Sequence, residues 1–244
     1  MNKLFVIVLV VVIVGIGAFA LSRDGGDMEQ ASPAPSESNG AMSFKFSNPK
    51  KSAHYETNTP AHGAILPAPP INVVIDFNFD LAAPSDISIM NNGKEYGVGT
   101  IAIDSNKLAM RKNVDSNAPD GLYKVSYNAC WPDRSCHTGF FEFAIDRSLT
   151  ANYESTPTVR LSNLRFNPKN IRIKKGTTVT WINDENVEHY INTDSHPAHT
   201  YYPAQNSRLL KQGDTYSVTF NTPGAYPYHC SAHVDTMMGM IVVE

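Results

Sequence analysis

Much of the chain beyond residue 70 is written in short runs in which apolar and polar residues take turns. Ile71-Asn-Val-Val-Ile-Asp-Phe-Asn-Phe79 alternates from Val74 onward, and Gly121-Leu-Tyr-Lys-Val-Ser-Tyr127 and Gly139-Phe-Phe-Glu-Phe-Ala-Ile145 alternate too. A period of two places successive side chains on opposite faces of a strand, so these runs predict half-buried strands. Asn91-Asn-Gly93 and Ala118-Pro-Asp-Gly121 supply turn chemistry between such runs. The style repeats further on, in Asn170-Ile-Arg-Ile-Lys-Lys-Gly176, Thr177-Thr-Val-Thr-Trp-Ile182, Thr215-Tyr-Ser-Val-Thr-Phe220 and Met240-Ile-Val-Val-Glu244. Short strands at regular spacing predict an all-β chain with two β-sandwich domains. Beyond the N-terminus there is no long amphipathic helical pattern, and no repeat at a solenoid period.

Two stretches break the pattern. Residues Ser22 to about Ser43 are rich in Ser, Pro, Gly, Asp and Glu and bury no apolar surface, which predicts a flexible linker over 22–43. A second weak spot runs from Arg147 to Thr158, and a linker is expected over 149–157. The sandwiches are then expected over 44–148 and 158–244. At the N-terminus, Leu4 to Leu21 are apolar or small throughout, with Lys3 before them and Arg23 after. That length lies at the border between a membrane span and a long signal-peptide core. Ala18-Phe19-Ala20 offers a cleavage pattern, whereas the Val/Ile-rich run favours an uncleaved signal-anchor, so both readings stay open for 1–21. Either one exports the remainder.

Composition fits this picture. Charged residues make up 18% of the chain, with 20 Lys and Arg against 23 Asp and Glu for a net charge of −3. Soluble domains average about 25% charged residues. No basic excess is present, which argues against nucleic acid as a partner.

The chemistry concentrates in three cysteines and a few histidines. Cys130 and Cys136 close a short loop compatible with a disulfide, which export permits. Cys230 sits in Tyr226-Pro-Tyr-His-Cys230-Ser-Ala-His233-Val-Asp-Thr-Met237-Met-Gly239, with His189 well upstream after Trp181-Ile-Asn183. One thiolate, two imidazoles and a thioether suit copper in both oxidation states, in a trigonal His₂Cys site with a long axial Met. Zinc could occupy the same atoms tetrahedrally. In an extended strand His229 points to the face opposite Cys230, so it is not counted as a ligand. The loop Asp194-Ser-His196-Pro-Ala-His199 could gather a second metal or shuttle a proton, although a polar loop beside the copper site is the plainer reading. His62 reads as a surface turn residue.

At these residues the chain resembles the plastocyanin-like cupredoxin family. The likeness covers about residues 158–244. It runs through Phe166-x-Pro168-x-x-Ile171, Lys175-Gly-Thr-x-Val-x-Trp181-x-Asn183, Val187-x-His189, Pro223-Gly-x-Tyr226 and Cys230-x-x-His233. The resemblance implies a Greek-key sandwich with type 1 copper on His189, Cys230 and His233. Its axial Met is expected at Met237, two residues before Gly239, with Met238 and Met240 as alternatives.

Residues 52–146 resemble a CopC-like copper-resistance domain, itself a small Greek-key sandwich. The signals are Asn58-Thr-Pro-Ala-His-Gly-Ala64, Gly121-x-Tyr-x-Val-x-Tyr127 and Thr138-Gly-x-Phe-x-Phe143. The resemblance implies a Cu(II) site, by position on His54, Asp133 and His137. Two departures stand against that transfer: His54 is internal, so its α-amine is in a peptide bond, and Asp133-Arg-Ser-Cys-His137 replaces the family's Asp-Gly-His.

Together these resemblances and the exported N-terminus predict a copper-binding extracytoplasmic protein, periplasmic or at the outer face of the cell membrane, with the N-terminal helix as its membrane anchor where the signal is left uncleaved. A blue-copper electron carrier working with a redox partner protein is the first expectation. The alternative is copper storage, delivery or resistance, with a second Cu(II) in the first domain and a copper donor or acceptor as partner. An enzyme is not expected. The eight histidines include no His-x-His pair for a further copper centre, and serine-nucleophile and phosphate-loop motifs are missing.

Overall fold

The computed structural model describes residues 42–244. The expected anchor (1–21) and nearly all of the expected linker (22–43) lie outside the described residues. Among the described residues, no helix is long and apolar enough to cross a membrane.

The regular structure of the described residues is almost entirely strand, as expected. The first half forms two facing sheets. One holds Ile65–Leu66, Cys136–Ile145, Gly121–Cys130, Ala82–Asn91 and Lys94–Glu95 in that order; the other holds Tyr55–Thr59, Asn72–Phe77, Ala109–Val114 and Gly97–Ile103. The second half repeats the plan. Arg165–Asn167, Thr158–Ser162, Thr177–Asn183 and Thr215–Phe220 face Asn170–Ile173, Met238–Val243, Gly224–His229 and Asn192–Thr193. Between the halves lie a short 3₁₀ turn, Arg147–Asn152, and a bridge from Glu154 to Ile171.

Local chemistry explains the elements. In Gly121–Cys130 the alternation is visible: Tyr123, Val125, Tyr127 and Ala129 enter the core while Lys124 is exposed. Asn92 and Gly93 have φ of 48° and 78°, the left-handed pair that closes a tight hairpin between Ala82–Asn91 and Lys94–Glu95. Cys130 and Cys136 face each other across their strand pair and are joined as a disulfide. In the second sandwich Trp181, Tyr226, Tyr228 and Phe220 are fully buried, and the wholly apolar Phe220 contributes roughly 1.5–3 kcal/mol of burial free energy.

One strand departs from its sequence pattern. Alternation predicts a solvent face on Asn72–Phe77, yet all six residues are buried. Val73, Ile75 and Phe77 fill the first core, as the period requires. The other face is covered by a loop of the second sandwich. Val74 packs with Ala109 and Tyr201, while Asp76 accepts hydrogen bonds from Ser195 Oγ (3.0 Å) and Thr200 Oγ1 (2.8 Å). Tyr201 Oη donates to the Ala225 carbonyl (2.6 Å) and accepts from the Ile71 amide (2.9 Å). Ala225 and Val242 of the second sandwich also join the first core. The two sandwiches are thus packed on each other.

Candidate metal centre

His189, Cys230 and His233 converge at one end of the second sandwich, their ligand atoms all within 4.8 Å of one another. His189 Nδ1 and His233 Nδ1 each lie 3.5 Å from Cys230 Sγ. Nitrogen and sulfur bound to one metal at about 2.0–2.3 Å, spread trigonally, are roughly 3.5–4 Å apart. The donor set and its spacing therefore fit a copper ion between them.

Three segments bring these donors together. Cys230 follows directly on strand Gly224–His229. A tight turn continues from it: the His233 amide donates to the Cys230 carbonyl (2.9 Å), the Met237 amide to the His233 carbonyl (2.9 Å), and the Cys230 amide to the Met237 carbonyl (2.9 Å). This ladder fixes a thiolate, an imidazole and a thioether residue on one turn. His189 arrives from another segment, pinned by amide–carbonyl pairs with Leu210 at 3.0 and 2.8 Å.

Each site group has a partner behind it. His189 is fully buried, and its Nε2–H donates to Glu185 Oε1 at 2.9 Å, which leaves Nδ1 bare toward Cys230. Burial holds the His189 pKa below its ordinary value, against the opposing pull of Glu185. Glu185 is fixed in turn by the amides of Asn163 (2.8 Å) and Leu164 (3.0 Å); these and His189 outweigh burial and keep its carboxyl below the usual range. Asn183 braces the loop from beneath, donating to the carbonyls of Val187 (2.7 Å) and Leu210 (3.0 Å). Cys230 is fully buried and its Sγ accepts the Tyr190 amide at 3.3 Å. The role of Glu185 was missed from sequence; its only signal there is a carboxylate four residues before His189.

The three methionines differ sharply. Met237 is 1% exposed and packs in the same core cluster as Cys230, whereas Met238 is 50% exposed. Met240 packs against the core of the first sandwich.

In the first sandwich the expected trio is arranged differently. His54 Nδ1 bonds Asn78 Oδ1 (3.0 Å), and its ring stacks on Phe79 and meets Trp131 edge-on at 5.2 Å. The His137 ring centroid lies 6.5 Å from that of the same indole, so both histidines neighbour Trp131. Asp133 is engaged by the Ser135 hydroxyl and amide, which hold its carboxyl below the usual range. His54, Asp133 and His137 do not form one of the converging groups of three found among the described residues. His62 accepts the Glu142 amide through Nδ1 (3.1 Å), which ties its turn to a core strand.

Comparison with known proteins agrees with this geometry. Residues 154–244 match the family described as copper binding proteins of the plastocyanin/azurin type, and residues 55–146 match the CopC domain. Amicyanin-alpha from Methylorubrum extorquens is 37% identical over 86 residues, which are 35% of this chain and 70% of that protein. Plastocyanin from Scenedesmus fuscus is 36% identical over 86 residues, 33% of this chain and 88% of that protein. An oxidised amicyanin mutant of known structure is 33% identical over 36% of this chain and 80% of its own, with a TM-score of 0.32. The chain belongs to the plastocyanin/azurin family of copper-binding proteins through its second sandwich, and carries a CopC domain before it. Copper is its cofactor.

Proposed function

We propose that this chain is an extracytoplasmic electron carrier whose copper is held by His189, Cys230 and His233, with Met237 as the axial thioether. The observation that carries the reading is the convergence of two imidazole Nδ1 atoms, those of His189 and His233, on one buried sulfur at 3.5 Å. Copper bound there supplies a one-electron change between Cu(I) and Cu(II). The protein's own groups hold the ligands still while the charge changes. Glu185 keeps His189 Nδ1 aimed inward, the Tyr190 amide stabilises the thiolate, and the turn from Cys230 to Met237 locks the remaining donors. Ligands that move little keep reorganisation small, which fast electron exchange requires. Burial beside Cys230 favours Met237 over Met238 and Met240 as the axial residue.

In this reading residues 1–21 export and anchor the chain, 22–43 tether it, and the sandwiches at 44–148 and 158–244 flank the segment 149–157. The Cys130–Cys136 disulfide is consistent with an oxidising compartment. The partner is a protein that gives or takes one electron, and no bond in a substrate is made or broken.

Replacing Cys230 by Ser abolishes the intense thiolate-to-copper visible absorption of the copper-loaded protein; its persistence would sink the ligand assignment. Met237→Leu removes the weak axial donor to Cu(II) and raises the reduction potential, whereas Met238→Leu leaves it unchanged.

The CopC match at 55–146 favours a second reading, copper delivery or storage, in which His54, Asp133 and His137 bind Cu(II). Copper per chain, compared between the native protein and a His54→Ala, His137→Ala variant, tests it: equal stoichiometry rules that site out.

A further inference from the structure

A second group of donors converges outside the thiolate site. His196, His199 and His229 place their ring nitrogens within 4.8 Å of one another. Their ring centroids form a nearly even triangle, with sides of 5.1, 5.4 and 5.4 Å. His229 and Cys230 are consecutive, but the side chains take opposite sides of the strand end. Cys230 faces His189 and His233, and His229 faces the loop 194–199.

The detailed geometry is that of ligands. His229 is 2% exposed, and its Nδ1–H donates to Asp194 Oδ1 at 3.0 Å, leaving Nε2 bare toward the cluster. This is the arrangement Glu185 imposes on His189, with the two ring nitrogens exchanged. A carboxylate behind an imidazole fixes the tautomer and raises the basicity of the nitrogen in front. His229 Nε2 lies 3.2 Å from His199 Nε2. Imidazole nitrogens bound to one metal at about 2.0–2.1 Å sit about 2.8–3.0 Å apart at the right angles of a tetragonal Cu(II) site and about 3.3–3.4 Å apart in a tetrahedral one, a range that brackets this distance.

The loop is built to hold this shape. His199 has φ of 52°, a left-handed conformation rarely adopted by residues with a side chain. Its carbonyl accepts from Asn206 Nδ2 (3.0 Å); Ser231 Oγ lies 3.0 Å from its Nε2, a contact that a bound metal would displace. Ser195 and Thr200, on either side of the histidine pair, both donate to the buried Asp76 of the first sandwich. The loop that carries His196 and His199 is thus held by contacts from both halves of the molecule.

We propose that His196, His199 and His229 hold a second copper ion, separate from the thiolate site. Three imidazoles without sulfur suit Cu(II), which also tops the affinity order of divalent first-row metals. His196 is exposed, so a fourth position faces solvent and takes water or a small anion.

The test uses the full-length chain loaded with Cu(II) and freed of loosely held metal. It compares the native protein with a His196→Ala, His199→Gln variant by copper per chain, visible absorption and EPR. The expected result has three parts. The native protein shows an EPR signal of wide hyperfine splitting besides that of the thiolate copper. The variant loses that signal and one copper per chain. Its thiolate absorption keeps full intensity, which also reports that the sandwich is folded. Where the double variant loses the thiolate band as well, His196→Ala alone decides, because an exposed side chain is removed; at least tenfold weaker binding of the second copper is then expected. Unchanged stoichiometry and EPR in these variants overturn the proposal. So does loss of the wide-splitting signal in the His54→Ala, His137→Ala variant instead, which moves the ion to the first sandwich.

Discussion

The two sandwiches offer sets of copper donors that look alike as residue lists and differ as objects in space. In the second, His189 and Cys230 are fully buried, and an imidazole nitrogen of His189 and one of His233 each face the sulfur at 3.5 Å. A carboxylate fixes the back of His189, and backbone amides fix that carboxylate. In the first, His54, Asp133 and His137 are not among the converging groups found in the described residues, His54 packs on Phe79 and Trp131, and Asp133 is occupied by Ser135. A metal ligand needs a free lone pair, a fixed direction and neighbours at matching distance. Position relative to a family motif speaks to residue type alone. In the second sandwich Cys230, His233 and Met237 share the hydrogen-bond ladder of one tight turn, and His189 is held opposite them by its backbone pairs with Leu210.

The largest expected effect separates the halves through a covalent link that the first sandwich carries within itself and the second lacks. Removing the disulfide by Cys130→Ala with Cys136→Ala is expected to destabilise the first sandwich by about 2–3 kcal/mol, the chain-entropy value for so short a loop. Denaturant unfolding followed by tyrosine and tryptophan fluorescence reads the loss, while the thiolate band of the copper-loaded native state stays intact. A change in that band on removing the disulfide would show the copper site to depend on the far end of the first sandwich.

A smaller effect probes the carboxylate behind His189. Glu185→Gln keeps the size of the side chain but removes the charge that orients the ring. Copper affinity, measured by competition with a chelator, is expected to fall about 10–100-fold. Asn78→Ala, which removes the partner of His54, leaves the affinity of the thiolate site unchanged. Equal effects from the two substitutions would erase the contrast between the sites.

The smallest effect concerns the contact between the halves. Burial raises the pKa of Asp76, against the pull of its bonds to Thr200 and Ser195 and of nearby Arg111. A carboxyl with a raised folded pKa favours the folded state most when protonated. Its contribution is therefore full below the unfolded value of about 3.9 and is lost as pH climbs through the folded pKa. Native Tm is expected to show that downward component just above the ordinary carboxylate range, and Asp76→Asn is expected to lack it. An identical pH profile in both proteins would mean that Asp76 does not titrate at this contact.

Much of this molecule is legible in its sequence. The strands Thr215–Phe220 and Gly121–Cys130 follow from a period of two, because that period is a property of extended backbone. His189, Cys230 and His233 stand out because few residue types offer soft sulfur and imidazole together. The burial of both faces of Asn72–Phe77 was not legible, since its second cover, Tyr201 with Ser195 and Thr200, comes from a loop more than a hundred residues away. Glu185 gave no signal beyond its charge, because its role depends on where the 183–189 loop turns. The placement of His229 illustrates both sides. Strand alternation alone puts it on the face away from Cys230, and the structure agrees. That His196, His199 and Asp194 wait on that face was decided by the fold, through a loop anchored on the neighbouring sandwich. Periodicity and donor chemistry are local and survive in a one-dimensional string. Convergence of donors requires segments distant in the chain to be held at ångström precision, and only packed tertiary contacts supply that.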